Sequence, residues 1–254
     1  MSEIIFQYYA MKILLLSIFA IITLWHKAYS QETFNFQFEK VSHLENLPNN
    51  EILSLYQDSD GFIWIATTGG LYQFDGYDLT EYRSNVYNFN LLTHNRITCL
   101  KEDSQKNLYI GTNEGLNILN KRTGKIKKSQ CSYFSKNYIA SIVETTDQEI
   151  WIGTDSGLYN YYLKNDSCIK ILNKMIRGMF VDSKGDIWAG TWSGGLHRYS
   201  KKDKKWIKYP PINEYNSAHV IFEDSQHRIW VGSFGKGIML LHNPYDLETL
   251  SWTT

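Results

Sequence analysis

Short apolar runs punctuate the chain at nearly regular intervals. The first set reads EILSLYQ (51–57), RITCLKE (96–102), IASIVE (139–144), MIRGMFV (175–181) and AHVIFE (218–223). Each run leads through a polar turn into a second one: FIWIATTGGLYQF, NLYIGTNEGLNIL, EIWIGTDSGLYNY, DIWAGTWSGGLHRY and RIWVGSFGKGIML. Runs this short, rich in β-branched and aromatic residues and bounded by Asp, Ser and Gly, predict strands rather than helices. The second strand of each set lacks a polar alternate position, as expected where both faces of a sheet are covered.

The runs belong to an internal repeat. Five segments align, beginning at Asp58, Asp103, Thr145, Asp182 and Asp224, with Trp64, Tyr109, Trp151, Trp188 and Trp230 as anchors. These anchors stand 45, 42, 37 and 42 residues apart. Each copy reads as strand, Asp turn, strand, Gly turn, strand, followed by a weaker fourth strand such as KIKKSQC or KWIKYP. Four short strands per repeat of this length predict a β-propeller blade. The blades are expected near 50–90, 95–135, 138–172, 175–210 and 218–254. Gly111, Gly153, Gly190 and Gly232, with Ala66 in the first copy, are expected to give a neighbouring blade room to approach.

Residues 11–31, MKILLLSIFAIITLWHKAYSQ, read as a secretory signal: Lys12 starts it, Ile13 to Trp25 is apolar, and Ala28 and Ser30 precede cleavage before Gln31. The expected division is a signal peptide over 1–30, its true start at Met11, and a propeller over 31–254, exported to the periplasm. Lys plus Arg and Asp plus Glu both number 26, which gives no support to nucleic-acid binding. Cys99, in the run ITCL, reads as a buried free thiol. Cys131 and Cys168 could bridge, but nothing else in the sequence supports it.

DSDG at 58–61 starts like a calcium loop, but Gly69 stands where the closing Glu is needed. Asp58, Asp103, Asp182 and Asp224 are therefore expected to cap their own turns. No metalloprotease, phosphate-loop or nucleophile-elbow motif occurs. His197 reads as a packed ring. No catalytic residue, cofactor or metal is expected.

The pattern D-S-x-G-x-I-W-x-G-T-x-x-G-L resembles the two-component regulator propeller repeat, over about residues 33 to 245. That resemblance implies the periplasmic sensor region of a hybrid two-component histidine kinase, many of which govern carbohydrate use. Family propellers usually have seven blades. Five here imply an incomplete arc, as of an N-terminal fragment, or else a closed five-bladed ring. FNFQFEKV at 34–41 is expected to supply the outer strand that closes the last blade. The kinase and membrane helix would belong to full-length relatives. The expected partners are an oligosaccharide and, in a full-length sensor, a second copy, with a membrane reached only through further segments. An interaction scaffold without a small ligand, or a propeller lyase or hydrolase, is the alternative.

The turns between second and third strands should share one face of the disc. They read Thr68-Gly69, Asn113-Glu114, Asp155-Ser156, Trp192-Ser193 and Phe234-Gly235-Lys236. Aromatic rings beside carboxylates suit sugars, which stack by their apolar face and donate hydroxyls. The candidate ligand-binding residues are thus Trp192, Phe234, Asp155, Glu114, Asn113 and Lys236. The competing expectation is that Trp192 and Phe234 fold back as packing.

Overall fold

The computed structural model describes Gln37, Leu47 and residues 51–84, 92–211 and 216–253. The chain divides into Met1–Ser42 and His43–Thr254, and the architecture below is that of the second unit. The signal segment and the closing strand expected at 34–41 lie outside the described residues, Gln37 excepted.

Among the described residues all regular structure is β, in five four-stranded antiparallel sheets whose strands are ordered as they occur in the chain. The first strands are Ile52–Gln57, Ile97–Glu102, Ile139–Glu144, Ile176–Val181 and Val220–Glu223. The second strands are Ile63–Thr67, Asn107–Thr112, Ile150–Thr154, Ile187–Thr191 and Ile229–Ser233. The third are Leu71–Phe74, Gly115–Asn120, Gly157–Tyr162, Leu196–Ser200 and Gly237–His242. The fourth are Leu79–Tyr82, Lys125–Lys128, Ser167–Leu172, Lys205–Lys208 and Ser251–Thr253. First strand meets first strand from blade to blade, so the first strands line the inside of a propeller arc.

Four apolar clusters hold successive blades together, and the first four anchor aromatics each reach into the blade that follows. Trp64 packs with Ile97, Leu100 and Ile110, and Tyr109 with Ile139, Ile142 and Ile152. Trp151 packs with Ile176, Met179 and Ala189, and Trp188 with Ala218, Ile221 and Val231. At the repeated glycine the next blade comes close to the backbone. A Cβ on Gly153 would lie 2.5 Å from Ile176 Cγ2, and one on Gly190 2.5 Å from the Ala218 carbonyl oxygen. The glycine is a socket, and the first apolar residue of the next blade fills it.

The aspartates cap their turns as the sequence predicts. Asp182 Oδ1 accepts the backbone N–H groups of Lys184 and Asp186, and Oδ2 accepts the Trp188 indole N–H at 2.7 Å. Asp58 and Asp224 repeat this with Trp64 and Trp230, while Asp103 takes the Tyr109 hydroxyl. With its oxygens so engaged, the carboxylate orients the anchor ring. The fourth turn residue is left-handed in every copy: Gly61, Lys106, Gln148, Gly185 and His227 have φ between 59° and 92°. Glycine adopts that conformation without steric cost.

A polar latch accompanies three of the caps. Ser59, Ser104 and Ser183 donate both backbone N–H and hydroxyl to Glu102, Glu144 and Glu223 at the end of the next blade's first strand, at 2.6–3.1 Å. Val181 holds the glutamate's place in blade four, and there Lys201 bonds Thr146 and Asp147 instead. Between blades one and two the latch gains a buried cation. Lys121 Nζ lies 2.7–2.8 Å from carboxylate oxygens of Asp58, Asp60 and Glu102.

Cys131 and Cys168 form a disulfide, with Cα atoms 6.3 Å apart, tying the exit of blade two to the fourth strand of blade three. Cys99 is free, and burial pushes its thiol up to about 12. His197 is a packed ring, its pKa lowered first by burial and then by Lys208.

The arc is open. Leu196 is 0% exposed and its counterpart Ile238 in blade five is 68% exposed; Leu100 is 8% exposed and its counterpart Leu55 in blade one is 63% exposed. A closed five-bladed ring would have covered both ends.

Candidate ligand-binding face

The second strand of each blade ends in a Ser or Thr. In blades one to four, the residue after it bonds back to the carbonyl just before the first strand. Thr68, Asn113, Asp155 and Trp192 donate to Glu51, Arg96, Tyr138 and Met175 at 3.1–3.3 Å. In blade five the Phe234 N–H bonds the Ser217 hydroxyl instead. All five turns thus stand beside the start of a first strand, at the end of the sheet opposite the Asp turns.

The first strands are irregular at this end. Pairing with the second strand shifts register between Ile52 and Ser54, Ile97 and Cys99, and Ile176 and Gly178. Such a bulge inserts one residue and re-aims its side chain. In blade four that residue is Arg177, and His219 precedes the first strand of blade five at the aligned place.

Arg177 and His219 meet the aromatic turns. Trp192, 42% exposed, has its ring 5.2 Å from His219 and 5.8 Å from Phe234, which is 55% exposed. His219 and Phe234 stack at 6.4 Å. The Arg177 guanidinium covers Trp192 at 4.9 Å and lies 3.5 Å from Asp155 Oδ1. The pKa of His219 is lowered, first by burial and then by the Arg177 charge. At neutral pH the face therefore presents a neutral imidazole and one arginine–aspartate pair among rings.

Three of the six sequence candidates, Trp192, Phe234 and Asp155, come together here. Among the described residues, no hydrogen bond, ion pair or ring contact joins Asn113, Glu114 or Lys236 to the Trp192 or His219 ring. Glu114 and Lys236 are exposed on their own turns and Asn113 is half-buried. Of the two carboxylates expected near the rings, Asp155 is linked to Trp192 through Arg177, while Glu114 stands on the turn of blade two. Trp192 is also no free platform, since Arg177, His219 and Phe234 contact it. Arg177 was missed because its placement depends on the bulge, and His219 because it lies just before the first strand of its blade. The available signal was a pair of polar residues, Arg177 and His219, at aligned positions in the otherwise apolar runs MIRGMFV and AHVIFE.

Clefts of about 530 Å³, lined by Asp103, Glu144 and Tyr161 among others, and about 680 Å³, lined by Asp186, Arg198 and Tyr245 among others, also occur. Both lie at the Asp-turn end, opposite the aromatic turns. Among the described residues no cluster of three or more His, Cys, Asp or Glu could hold a metal ion.

The family model for the two-component regulator propeller matches residues 46–69, 91–114, 170–193 and 214–235. These stretches fall on four of the five copies; the one starting at Thr145 lies outside them. The chain carries two-component regulator propeller repeats. The chain is similar to the crystal structure of the extracellular domain of BT4673 from B. thetaiotaomicron, assigned as a hybrid two component system. The likeness has 26% identity and a TM-score of 0.62, over 75% of this chain and 27% of that one. The extracellular domain of BT3049 from the same organism matches at 22% identity and TM-score 0.56, over 80% of this chain and 35% of that one. Virginiamycin B lyase from Staphylococcus aureus shares the fold alone, at 12% identity and TM-score 0.64, over 80% and 70% of the two chains. Comparison with curated proteins gave no match. The chain thus spans about a quarter of the BT4673 extracellular domain, to which its propeller is related.

Proposed function

We propose that this propeller is the ligand-sensing part of an exported two-component-type sensor and that it binds a saccharide on the rim of blades four and five. One observation carries the reading. Trp192, His219 and Phe234 gather within 6.4 Å at a turn face, with Trp192 and Phe234 about half exposed. A sugar ring stacks on such a surface, and the Asp155 carboxylate and His219 imidazole offer hydrogen bonds to hydroxyls. The domain would bind rather than catalyse, and phosphotransfer would belong to a longer sensor. The signal-like segment from Lys12 to Ser30 and the Cys131–Cys168 bridge favour an oxidising compartment outside the cytoplasm.

The test is a titration of the chain with a panel of oligosaccharides, read by tryptophan fluorescence and calorimetry. Trp192→Ala and Phe234→Ala should each weaken the binding found by about tenfold, the worth of one lost ring contact of about 1.4 kcal/mol. Binding that both variants leave unchanged would move the ligand elsewhere. No binding anywhere in the panel would favour an interaction scaffold.

A further inference from the structure

Blade four buries a guanidinium that it pairs only in part. Arg198, on the third strand, is 5% exposed, and among the described residues its one hydrogen bond runs from Nη1 to Asp186 Oδ2 at 3.1 Å. Its Nε is buried with no partner. The residues opposite the anchor aromatic in the other blades, Gln73, Ile118, Asn160 and Leu240, carry no charge, so the repeat does not call for a cation here. A buried cation with unused donors is costly unless an acceptor meets them.

Arg198 lines the cleft of about 680 Å³ that Tyr245, from beyond the third strand of blade five, bounds on another side. Lys184 Nζ lies 3.1 Å from the centre of the Tyr245 ring and the Arg198 guanidinium 4.7 Å from it, so the two cations stand no more than about 8 Å apart. Like charges that close repel, and an anion between them turns repulsion into attraction. Lys202 adds a third cation to the cleft wall. Among the described residues neither Lys184 nor Lys202 forms an ion pair. The other charged residues of the wall are engaged. Asp186 accepts from Arg198 and from the Lys201 N–H, Asp203 accepts from Ser200, and Lys201 turns away to Thr146 and Asp147.

We propose that this cleft binds a tetrahedral dianion, a phosphate or sulfate group. Three cationic side chains can each take a separate oxygen, and the guanidinium supplies the fork that such oxyanions favour. A planar carboxylate, with one charge and two oxygens, would leave one of the three unused. Bound there, the anion would join Lys184 and Arg198 of blade four beside Tyr245 of blade five. The cleft lies at the opposite end of the blades from Trp192, so the two sites are independent.

The test is calorimetric titration and thermal unfolding of the full chain near neutral pH, with sodium phosphate and sodium sulfate set against sodium acetate and sodium chloride at matched ionic strength. Phosphate or sulfate should bind saturably and raise the melting temperature, as a ligand of the native state does. Acetate should bind at least about tenfold more weakly. Lys184→Gln, at an exposed turn position, should weaken oxyanion binding about tenfold, the worth of one charge-assisted bond. Arg198→Lys keeps the charge, loses the fork and should weaken binding as much, with circular dichroism confirming the fold. Lys125→Gln, on the outer strand of blade two, should leave binding unchanged. The proposal would be overturned by the absence of saturable binding of either oxyanion, or by acetate binding as tightly. Wild-type affinity in folded Lys184→Gln or Arg198→Lys would overturn it too, as would an equal loss in Lys125→Gln.

Discussion

Blade four and blade five are written in almost the same words, D-S-x-x-x-I-W-x-G, yet one is sealed and the other half bare. Both have an aspartate that accepts its anchor indole, at 2.7 and 2.8 Å, and both pair their four strands in one order. Local structure is therefore the same. What differs is the next blade: Trp188 and Leu196 are covered by Ala218, Ile221 and Val231, while Trp230 and Ile238 face a groove. A blade folds its own turns and ladders, but its hydrophobic stabilisation comes from a neighbour, as in other repeat architectures.

This contrast can be broken by paired substitutions. Trp188→Ala should cost about 3–5 kcal/mol, because it empties a fully buried site. Trp230→Ala should cost less than half as much in the monomer, judged by urea unfolding of both variants. Equal losses would mean that blade five is covered as well as blade four.

The ionic interface between blades one and two offers a second, somewhat smaller effect. Lys121→Met strands three carboxylates and should cost about 3 kcal/mol near neutral pH. Burial raises the Asp58 pKa, but hydrogen bonds from Lys121 and then from the Trp64 indole outweigh it and leave the carboxyl below its ordinary value. Lys106 first, and then Lys121, hold Asp60 at about 2. A depressed carboxylate stabilises the fold above its unfolded pKa and loses that contribution as pH falls through the folded value. The wild-type melting temperature should thus fall between about pH 4 and pH 2, and the Lys121→Met profile should be flatter there. Parallel profiles would argue against the cluster as the source.

The left-handed turn position gives a smaller, signed effect. His227→Gly should stabilise blade five by about 1 kcal/mol, and Gly185→Ala should destabilise blade four by a similar amount. Thermal melts of the two variants should move in opposite directions. Trp192→Ala is the mildest expected change, about 1 kcal/mol or less, because its ring contacts lie at the surface. A loss as large as that of Trp188→Ala would assign Trp192 to the core.

The blades were legible in the sequence because every copy spells out the same turn chemistry. Asp58, Asp103, Asp182 and Asp224 announce the caps, and the spaced glycines announce close approach. The Trp192–Phe234 pairing was also legible, since both follow the same strand position in adjacent copies. Glu102, Glu144 and Glu223 carried a readable signal as the last residues of their first strands, but their serine partners sit about 40 residues away in another blade. Arg177 was harder to place. Its direction comes from a one-residue register shift, and alternation in a strand gives no warning of a bulge. The third copy shows the same limit: Thr145 caps its turn through the Glu149 N–H, and Glu149 rather than an aspartate takes the Trp151 indole.

The most direct test of the contrast is a single methyl group added to each of two glycines. Gly190→Ala places a Cβ 2.5 Å from the Ala218 carbonyl oxygen, whereas Gly232→Ala finds its nearest neighbour at 3.5 Å. In urea unfolding at a concentration where the chain is monomeric, Gly190→Ala should lose about 1–3 kcal/mol through overpacking. Gly232→Ala should be neutral, or gain about 0.5 kcal/mol from a stiffer unfolded chain. Equal losses at the two positions would contradict the assignment of Gly232 as an empty socket and, with it, the open arc.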